Sequence, residues 1–378
     1  MNGDRRPERF DTVIVGGGQA GLAAGYNLAR LGQSFVILDD HQRIGDTWRE
    51  RWDSLRVFTP AKYNGLPGMR FPSPRLSFPT KDEVATYLDT YAARFELPVI
   101  TGVRVDRITK NSAGFVLSAG PRTFEASNVI VATGACHNPR VPAFAAELDP
   151  KITQIHSSVY KSPAQLKEGA VLVVGLGNSG AEISFELART HRTFVSGRPT
   201  GEIPAPHGPG AAIFLLPLIK FMGSHVLNMD TPIGRKVEPQ FIRRGAPLIR
   251  RKLKDLASAG IERLPRVVGV RSGLPELADG RLLEVANVIW CTGFSTDFGW
   301  IDLPVFAENG RPIQYRGVVA STPGLYFIGL EFLYAATSAV LPGVGRDAGY
   351  IAKHIAKRVR PGVTAPSGAE AIPIASHS

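Results

Sequence analysis

The chain has almost no cysteine. Cys136 and Cys291 are the two among 378 residues, and they form no C-x-x-C pair. A disulfide scaffold and a dithiol redox couple are therefore excluded. Both cysteines follow apolar runs and read as buried thiols in a reducing, cytoplasmic setting. No stretch approaches the roughly 20 apolar residues of a membrane span. Residues Met1 to Phe10 contain no apolar signal-peptide core. No Ser-His-Asp arrangement, carboxylate pair or metal-spaced His and Cys cluster stands out, so no metal site is expected. Acidic residues are in deficit, 33 against 44 basic, for a net charge of +11. The basic residues are scattered rather than interleaved with aromatics, which argues against nucleic acid as a partner. Anionic cofactors, and an anionic substrate, are the better beneficiaries of that charge. A basic surface without a partner is the equal alternative.

Glycine is plentiful, and its placement carries the reading. Thr12 to Gly21 reads TVIVGGGQAG, and Ala170 to Gly180 reads AVLVVGLGNSG. Each is an apolar run followed at once by G-x-G-x-x-G and then a helix-like segment, Leu22 to Leu31 and Ala181 to Thr190. That is the context the dinucleotide fingerprint needs. Gly16 and Gly175 make the tight turn. Gly18 and Gly177 let backbone approach a pyrophosphate, and Gly21 and Gly180 let helix and strand pack closely. The helix N-terminus, here Asn178 and Ser179 in the second copy, offers free N–H groups to phosphate. Two dinucleotides meeting between two domains is the simplest reading.

The two copies differ after their second strands. Phe35 to Leu38 ends in Asp39, a carboxylate that suits ribose hydroxyls and repels a 2′-phosphate. Thr193 to Val195 is followed instead by Ser196 and Arg198, which suit a 2′-phosphate. The first site thus fits FAD or NAD, and the second favours NADPH. Further strands are expected at Phe115 to Leu117, Thr123 to Val131, Arg266 to Val270, Leu282 to Trp290 and Leu325 to Gly329. A helix is expected over Asp82 to Phe95 with Thr80 as its N-cap, and another from Gly343 to about Val359. Ala211 to Phe221 is apolar but broken by Pro217 and Lys220. It could roof a pocket, form a dimer contact or lie on a membrane. Arg243, Arg244, Arg250, Arg251, Lys252 and Lys254 read as one solvated basic face. Residues 361–378, rich in Pro, Ala and Ser, read as disordered.

Several segments resemble class B flavin monooxygenases, the flavin-containing monooxygenases and their plant relatives that act on indole-3-pyruvate. Ile44-Gly45-Asp46-Thr47-Trp48-Arg49 looks like the family's G-G-x-W segment, with Trp48 nine residues after Asp39. Trp52 to Pro60 looks like the following S-L-R-x-x-x-P segment. His156 and Tyr160 match the last half of the F-x-G-x-x-x-H-x-x-x-(Y/F/W) motif. Ala132-Thr133-Gly134 and Cys291-Thr292-Gly293-Phe294 resemble the two A-T-G turns at which the chain leaves and re-enters the first domain. The resemblance covers residues 10 to 358. It implies an α/β fold of two Rossmann-like dinucleotide-binding domains, the NADPH domain inserted into the FAD domain. The FAD domain would span 1–150 and 292–360 and the NADPH domain 151–291. It implies that Gly16, Gly18, Gly21, Asp39, Trp48, Arg49, Thr133, Gly134, Gly329 and Asp347 hold FAD. Gly175, Gly177, Asn178, Ser179, Gly180, Ser196 and Arg198 would hold NADPH, and His156 and Tyr160 would form a hinge.

The implied reaction passes hydride from NADPH to FAD. The reduced flavin then binds O2 as a C4a-(hydro)peroxide, and one oxygen atom goes to a small soft nucleophile or carbonyl. A homodimer is common among such relatives. One position departs from the pattern: where the flavin-containing monooxygenases carry an Asn that helps hold the peroxide, this chain has Phe58. A flavin reductase or oxidase without oxygen transfer is therefore one alternative, and a nucleotide-binding regulator without catalysis is another.

Overall fold

The computed structural model of the chain describes residues 6–135, 138–203 and 206–358. Cys136 and the tail 361–378 lie outside the described residues. The strands of the first half are β1 (Glu8–Val15), β2 (Phe35–Leu38), β3 (Val99–Ile100), β4 (Arg107–Lys110), β5 (Phe115–Ala119) and β6 (Arg122–Val131). A short crossing strand β7 (Asn138–Pro139) leads to β8 (Thr153–His156), β9 (Val171–Val174), β10 (Thr193–Ser196) and β11 (Glu262–Leu264). Then come β12 (Val267–Arg271), β13 (Leu274–Leu277), β14 (Asn287–Trp290), β15 (Phe294–Ser295) and β16 (Leu325–Phe327).

Each glycine fingerprint follows the strand at the heart of its sheet. The first sheet runs β3-β2-β1-β6-β5-β4, with β16 beside the last residues of β6. Its β2-β1-β6-β16 part is parallel, and β4 and β5 are antiparallel. The second sheet runs β11-β10-β9-β14-β8 and is parallel throughout. Because its strands fall between β6 and β16 in the chain, one Rossmann-like unit is inserted into the other. β9 and β14 are buried at all four positions, as a parallel sheet covered on both faces requires. Strands β7 and β15 pair antiparallel, so the outgoing and returning crossings lie side by side.

Helices cover the sheets: α1 (Gln19–Arg30), α2 (Asp46–Arg49), α3 (Lys81–Arg94), α4 (Asn178–Leu187), α5 (Pro209–Phe214), α6 (Leu216–Phe221), α7 (Pro232–Arg244), α8 (Leu253–Ser258) and α9 (Leu341–Arg358). Helix α3 starts at the expected cap. Thr80 accepts from the Glu83 N–H, and the Glu83 carboxylate accepts from the Thr80 N–H, closing two otherwise unpaired donors. α1, α3 and α9 share a core of Leu22, Tyr91, Val344, Ile351 and Ile355 on one face of the first sheet. Among the described residues no helix is long and apolar enough to cross a membrane.

Three expectations shift. The strand expected from Leu282 begins only at Asn287, and a strand that was not expected, β13, pairs with β12. Ser272 and Gly273, with φ of 54° and 77°, form the two-residue turn of that hairpin. Pro275 inside β13 hid its strand character. Helix α9 starts at Leu341, two residues before the expected Gly343. The six basic residues do not form one face. α7 ends at Arg244, α8 begins at Leu253, and Arg250 in between is largely buried against Glu182.

Candidate functional site

The two glycine turns are near copies in geometry. Gly16 and Gly175 both have φ of +111°, a region where side chains are strained. A Cβ on Gly16 would lie 2.7 Å from the Ala132 carbonyl oxygen, and one on Gly175 would overlap the Cys291 carbonyl oxygen. Cβ atoms on Gly21 and Gly180 would overlap the carbonyl oxygens of Gly16 and Gly175. The second glycines differ. Nothing lies within 4 Å of a Cβ on Gly18, and beside Gly177 the nearest atom is Thr200 Cγ2 at 4.0 Å. Each turn is thus packed at its first and third glycines and open at the second. Neither α1 nor α4 has a side-chain N-cap or an acidic residue in its first turn. Their first N–H groups and positive dipole ends remain available to an anion.

Around the first turn, three buried polar atoms have no hydrogen-bond partner: Gln19 Oε1, Thr133 Oγ1 and Asp347 Oδ2. Buried polar atoms without partners are rare and call for one. Gln19 Nε2 donates to Ala339 O just before α9, and Thr133 adjoins Gly16. Gly329 packs on Ala20, and Gly134 is open with φ of +76°. Asp39, buried at the end of β2, accepts from the Gly17 N–H at 2.5 Å and from the His41 N–H at 2.9 Å. Trp48 is half-buried against the α1–α3–α9 core. Arg49 Nη1 instead braces its own turn, donating to Ile44 O at 2.7 Å and Asp46 Oδ1 at 2.9 Å. These residues fit a dinucleotide with polar groups along its length.

Asp39, Asp40 and His41 bring ligand-type atoms within 4.8 Å of one another. Burial pulls His41 down, but Asp40, Asp39 and Glu50 together hold it above its ordinary value. His41 Nδ1 lies 3.1 Å from Asp39 Oδ1 and 2.9 Å from Asp40 Oδ1, so the imidazole is a partner of these carboxylates.

Burial raises the Asp347 carboxyl above its ordinary range, with Arg346 opposing. A raised pKa in the fold means that the charged form is disfavoured there. Stability present at acid pH is lost as pH rises from the ordinary carboxylate range through the raised pKa. Asp347→Asn, similar in shape and neutral, is expected to raise the cofactor-free melting temperature near pH 7 by about 2 °C. Thermal unfolding from pH 5 to 8 tests this, and an unchanged or lower melting temperature at pH 7 contradicts it.

At the second turn the structure corrects the expectation for Ser196. Ser196 is fully buried, donating to Pro265 O at 2.7 Å and accepting from the Val267 N–H at 3.0 Å. Its hydroxyl fastens the β11–β12 connection to β10 and does not face a 2′-phosphate. The Asn178 side chain donates to Pro247 O at 3.0 Å and accepts from the Ile249 N–H at 3.0 Å. It ties down the 246–249 segment, leaving only its backbone to the phosphate turn. Ser179 is half-buried beside it. Gly197, with φ of +150°, would place a Cβ 3.0 Å from Leu176 N. The chain therefore crosses tightly over the turn there and delivers Arg198 beside it, exposed. Thr200, next to Gly177, shares this edge.

The family described as pyridine nucleotide-disulphide oxidoreductase matches residues 13–200. An uncharacterized oxidoreductase of Geobacillus kaustophilus, CzcO-like, is 39% identical over 347 residues, covering 91% of this chain and 98% of its own. The probable indole-3-pyruvate monooxygenase YUCCA3 of Arabidopsis thaliana is 28% identical, covering 92% and 86%. Among solved structures, the flavin-containing monooxygenase of Stenotrophomonas maltophilia superposes with a TM-score of 0.74 at 27% identity, covering 93% of this chain and all of that one. The chain belongs to the family of CzcO-like oxidoreductases and is similar to flavin monooxygenases.

Within this family fold, the two expected hinge residues tie the crossings together. In the neutral ring, His156 Nε2 donates to Gly293 O at 3.1 Å, and Nδ1 accepts from the Ser158 N–H at 3.1 Å. Burial holds His156 below its ordinary value, the Gly293 bond opposing and Arg51 adding to the effect. Tyr160, fully buried, donates to Glu186 Oε2 on α4 at 2.8 Å. Cys291 is a free thiol pushed up to about 12 by burial, so it stays protonated and unreactive.

Three further residues, His207, Arg250 and Trp52, make contacts that local spacing does not announce. His207 Nε2 donates to the Phe58 carbonyl at 2.9 Å, its ring 4.2 Å from that of Phe78. Burial holds it below its ordinary value, the Phe58 bond opposing and Arg250, Arg251 and Lys252 adding. Arg250 joins Glu182 on α4 to the Arg56 carbonyl, both at 3.2 Å. Trp52, from the first-half chain, is buried in the core of the second sheet with Tyr160 and Ile289. These contacts bind the Trp52–Pro60 segment to the inserted unit. None is signalled by local spacing, because each joins segments far apart in sequence.

A second set of contacts runs the other way. Segment 222–231, a π-helical turn and the loop before α7, lies on residues 334–346. Met229 N–H donates to Tyr334 O, and Ala336 N–H to Leu227 O. Arg346 donates to Ser224 O at 2.9 Å, and Asp230 accepts from the hydroxyls of Tyr315 and Tyr334.

Proposed function

We propose that the chain is an NADPH-dependent FAD monooxygenase acting on a small organic substrate. The observation carrying this reading is the pair of matched phosphate turns, with Gln19, Thr133 and Asp347 atoms left unpartnered in the first unit. Kinship to flavin monooxygenases supports it. On this reading residues 1–150 and 292–360 bind FAD, and 151–291 bind NADPH. Bound NADPH would supply hydride, and bound FAD the ring that accepts it and activates O2. The chain's own residues bind, orient and exclude water. The backbone at Gly18 and the start of α1 would receive one pyrophosphate, and Gly177 and the start of α4 the other. Asp39 would accept from ribose hydroxyls, and Gln19, Thr133 and Asp347 would find partners along the same molecule. Arg198 would grip the 2′-phosphate of the nicotinamide coenzyme. His156 and Tyr160 would hold the crossings while the halves adjust.

Phe58 favours a second reading, a flavin reductase or oxidase without oxygen transfer, since it offers no amide at the expected position. Stopped-flow absorbance separates the two. The protein is reduced with NADPH without oxygen and then mixed with oxygenated buffer and candidate substrates. Rapid bleaching, a near-ultraviolet transient and oxygenated product are expected. Direct return of the oxidised spectrum with stoichiometric hydrogen peroxide for every substrate would support the reductase. No bleaching at all would overturn both.

A further inference from the structure

Helix α6 and the turn that follows it carry an apolar face that no described residue covers. Leu218, Phe221 and Met222 are 55%, 55% and 40% exposed. They recur at the spacing of one helical face. Ile213 before them and Ile233 after them are also about half exposed (47% and 56%). Single exposed apolar residues are ordinary, but a contiguous group marks an interaction surface. The face is not loose. Gly223 and Ser224 beneath it are buried, and Ser224 is bonded to Thr337 and Arg346. The start of α7 packs on the same turn, with Thr231 bonded to Val226 and Asn228.

The rim of this face is basic. Arg235 and Lys236 are exposed in the first turns of α7, while Lys220 on α6 sets its ammonium over the Tyr63 ring at 4.8 Å. The neighbouring carboxylate of Asp230 is taken up by Tyr315 and Tyr334. A second copy meeting this face about a two-fold axis would set the cationic rims against each other. An anionic bilayer meets both halves of the pattern: acyl chains for the apolar face and phosphate headgroups for the rim.

We propose that α6 and the start of α7 form a docking surface for anionic lipid bilayers, by which the protein lies on a membrane without spanning it. The test is co-sedimentation of the purified holoprotein with vesicles. One set is phosphatidylcholine with about 30% phosphatidylglycerol and the other phosphatidylcholine alone, each at low and high salt. Binding to the anionic vesicles, weakened by salt, is expected. Phe221→Glu and Leu218→Glu should each cut the partition coefficient about tenfold or more while leaving the flavin spectrum and the rate of reduction by NADPH unchanged. No sedimentation with anionic vesicles overturns the proposal, as does equal sedimentation of both variants. A lipid-free dimer in sedimentation velocity that Phe221→Glu dissolves would also overturn it and assign the face to a second copy.

Discussion

Gly16→Ala is expected to yield a colourless protein, whereas Gly175→Ala is expected to yield a yellow one that NADPH no longer reduces at ordinary concentrations. Both glycines sit at φ of +111°, where an alanine is strained by about 1–3 kcal/mol. Both also lack room. The new methyl would lie 2.7 Å from the Ala132 oxygen in the first turn and would overlap the Cys291 oxygen in the second. Neither obstacle yields without moving the strand that carries it, β6 or β14, so the turn itself must open. The N–H groups that would face a pyrophosphate are then misdirected, and affinity for that dinucleotide should fall by about 100-fold or more, given about 3 kcal/mol of combined strain and overpacking. The contrast between the variants is the informative part. Flavin content after purification and the KM for NADPH read the two turns separately. A colourless Gly175→Ala beside a yellow Gly16→Ala would reverse the assignment of the sites.

Arg198→Ala should raise the KM for NADPH by about 10- to 100-fold, the worth of a charged hydrogen bond of about 1–3 kcal/mol, and leave NADH nearly untouched. The correction at Ser196 sharpens this expectation. With that hydroxyl engaged by Pro265 and Val267, discrimination at the end of β10 rests more heavily on the guanidinium. Gly197 brings that guanidinium to the edge of the turn. Thr200→Ala is a useful companion, because its hydroxyl already donates to Ala246 O at 2.8 Å; a change confined to Arg198 would separate charge recognition from local packing. Equal losses for both coenzymes in Arg198→Ala would sink the assignment.

Sequence made the two turns legible because backbone geometry there admits only glycine, and composition records that directly. The central strands were legible for a related reason: a strand covered on both faces becomes an unbroken apolar run, as in β2, β9 and β14. Thr80 and Glu83 stood three residues apart, which is all a capping box needs. Side-chain commitments were far less visible. Ser196 has the right chemistry and position for a phosphate, yet β12 begins where it can donate its N–H to that hydroxyl. Arg250 looked like one of a solvated row until the fold set Glu182 beside it. Burial raises the Glu182 carboxyl, with Arg250 and Arg251 opposing, a state that no local pattern announces. The bond between Arg346 and Ser224 spans 122 residues, beyond the reach of any periodicity.

The clasp of segment 222–231 on residues 334–346 bears on how such a chain can be cut and recombined. By connectivity, that segment belongs to the inserted unit. By hydrogen bonding it belongs to the host, where it pairs with the chain leading into α9 and holds Arg346 beside Asp347. A chimera that exchanged residues 151–291 wholesale would remove part of the host's own scaffolding along with its guest. A workable graft would retain the native 222–231 loop and exchange only the parallel core around it. The loop thus belongs, for purposes of exchange, to the part of the chain that it braces and not to the part that encodes it.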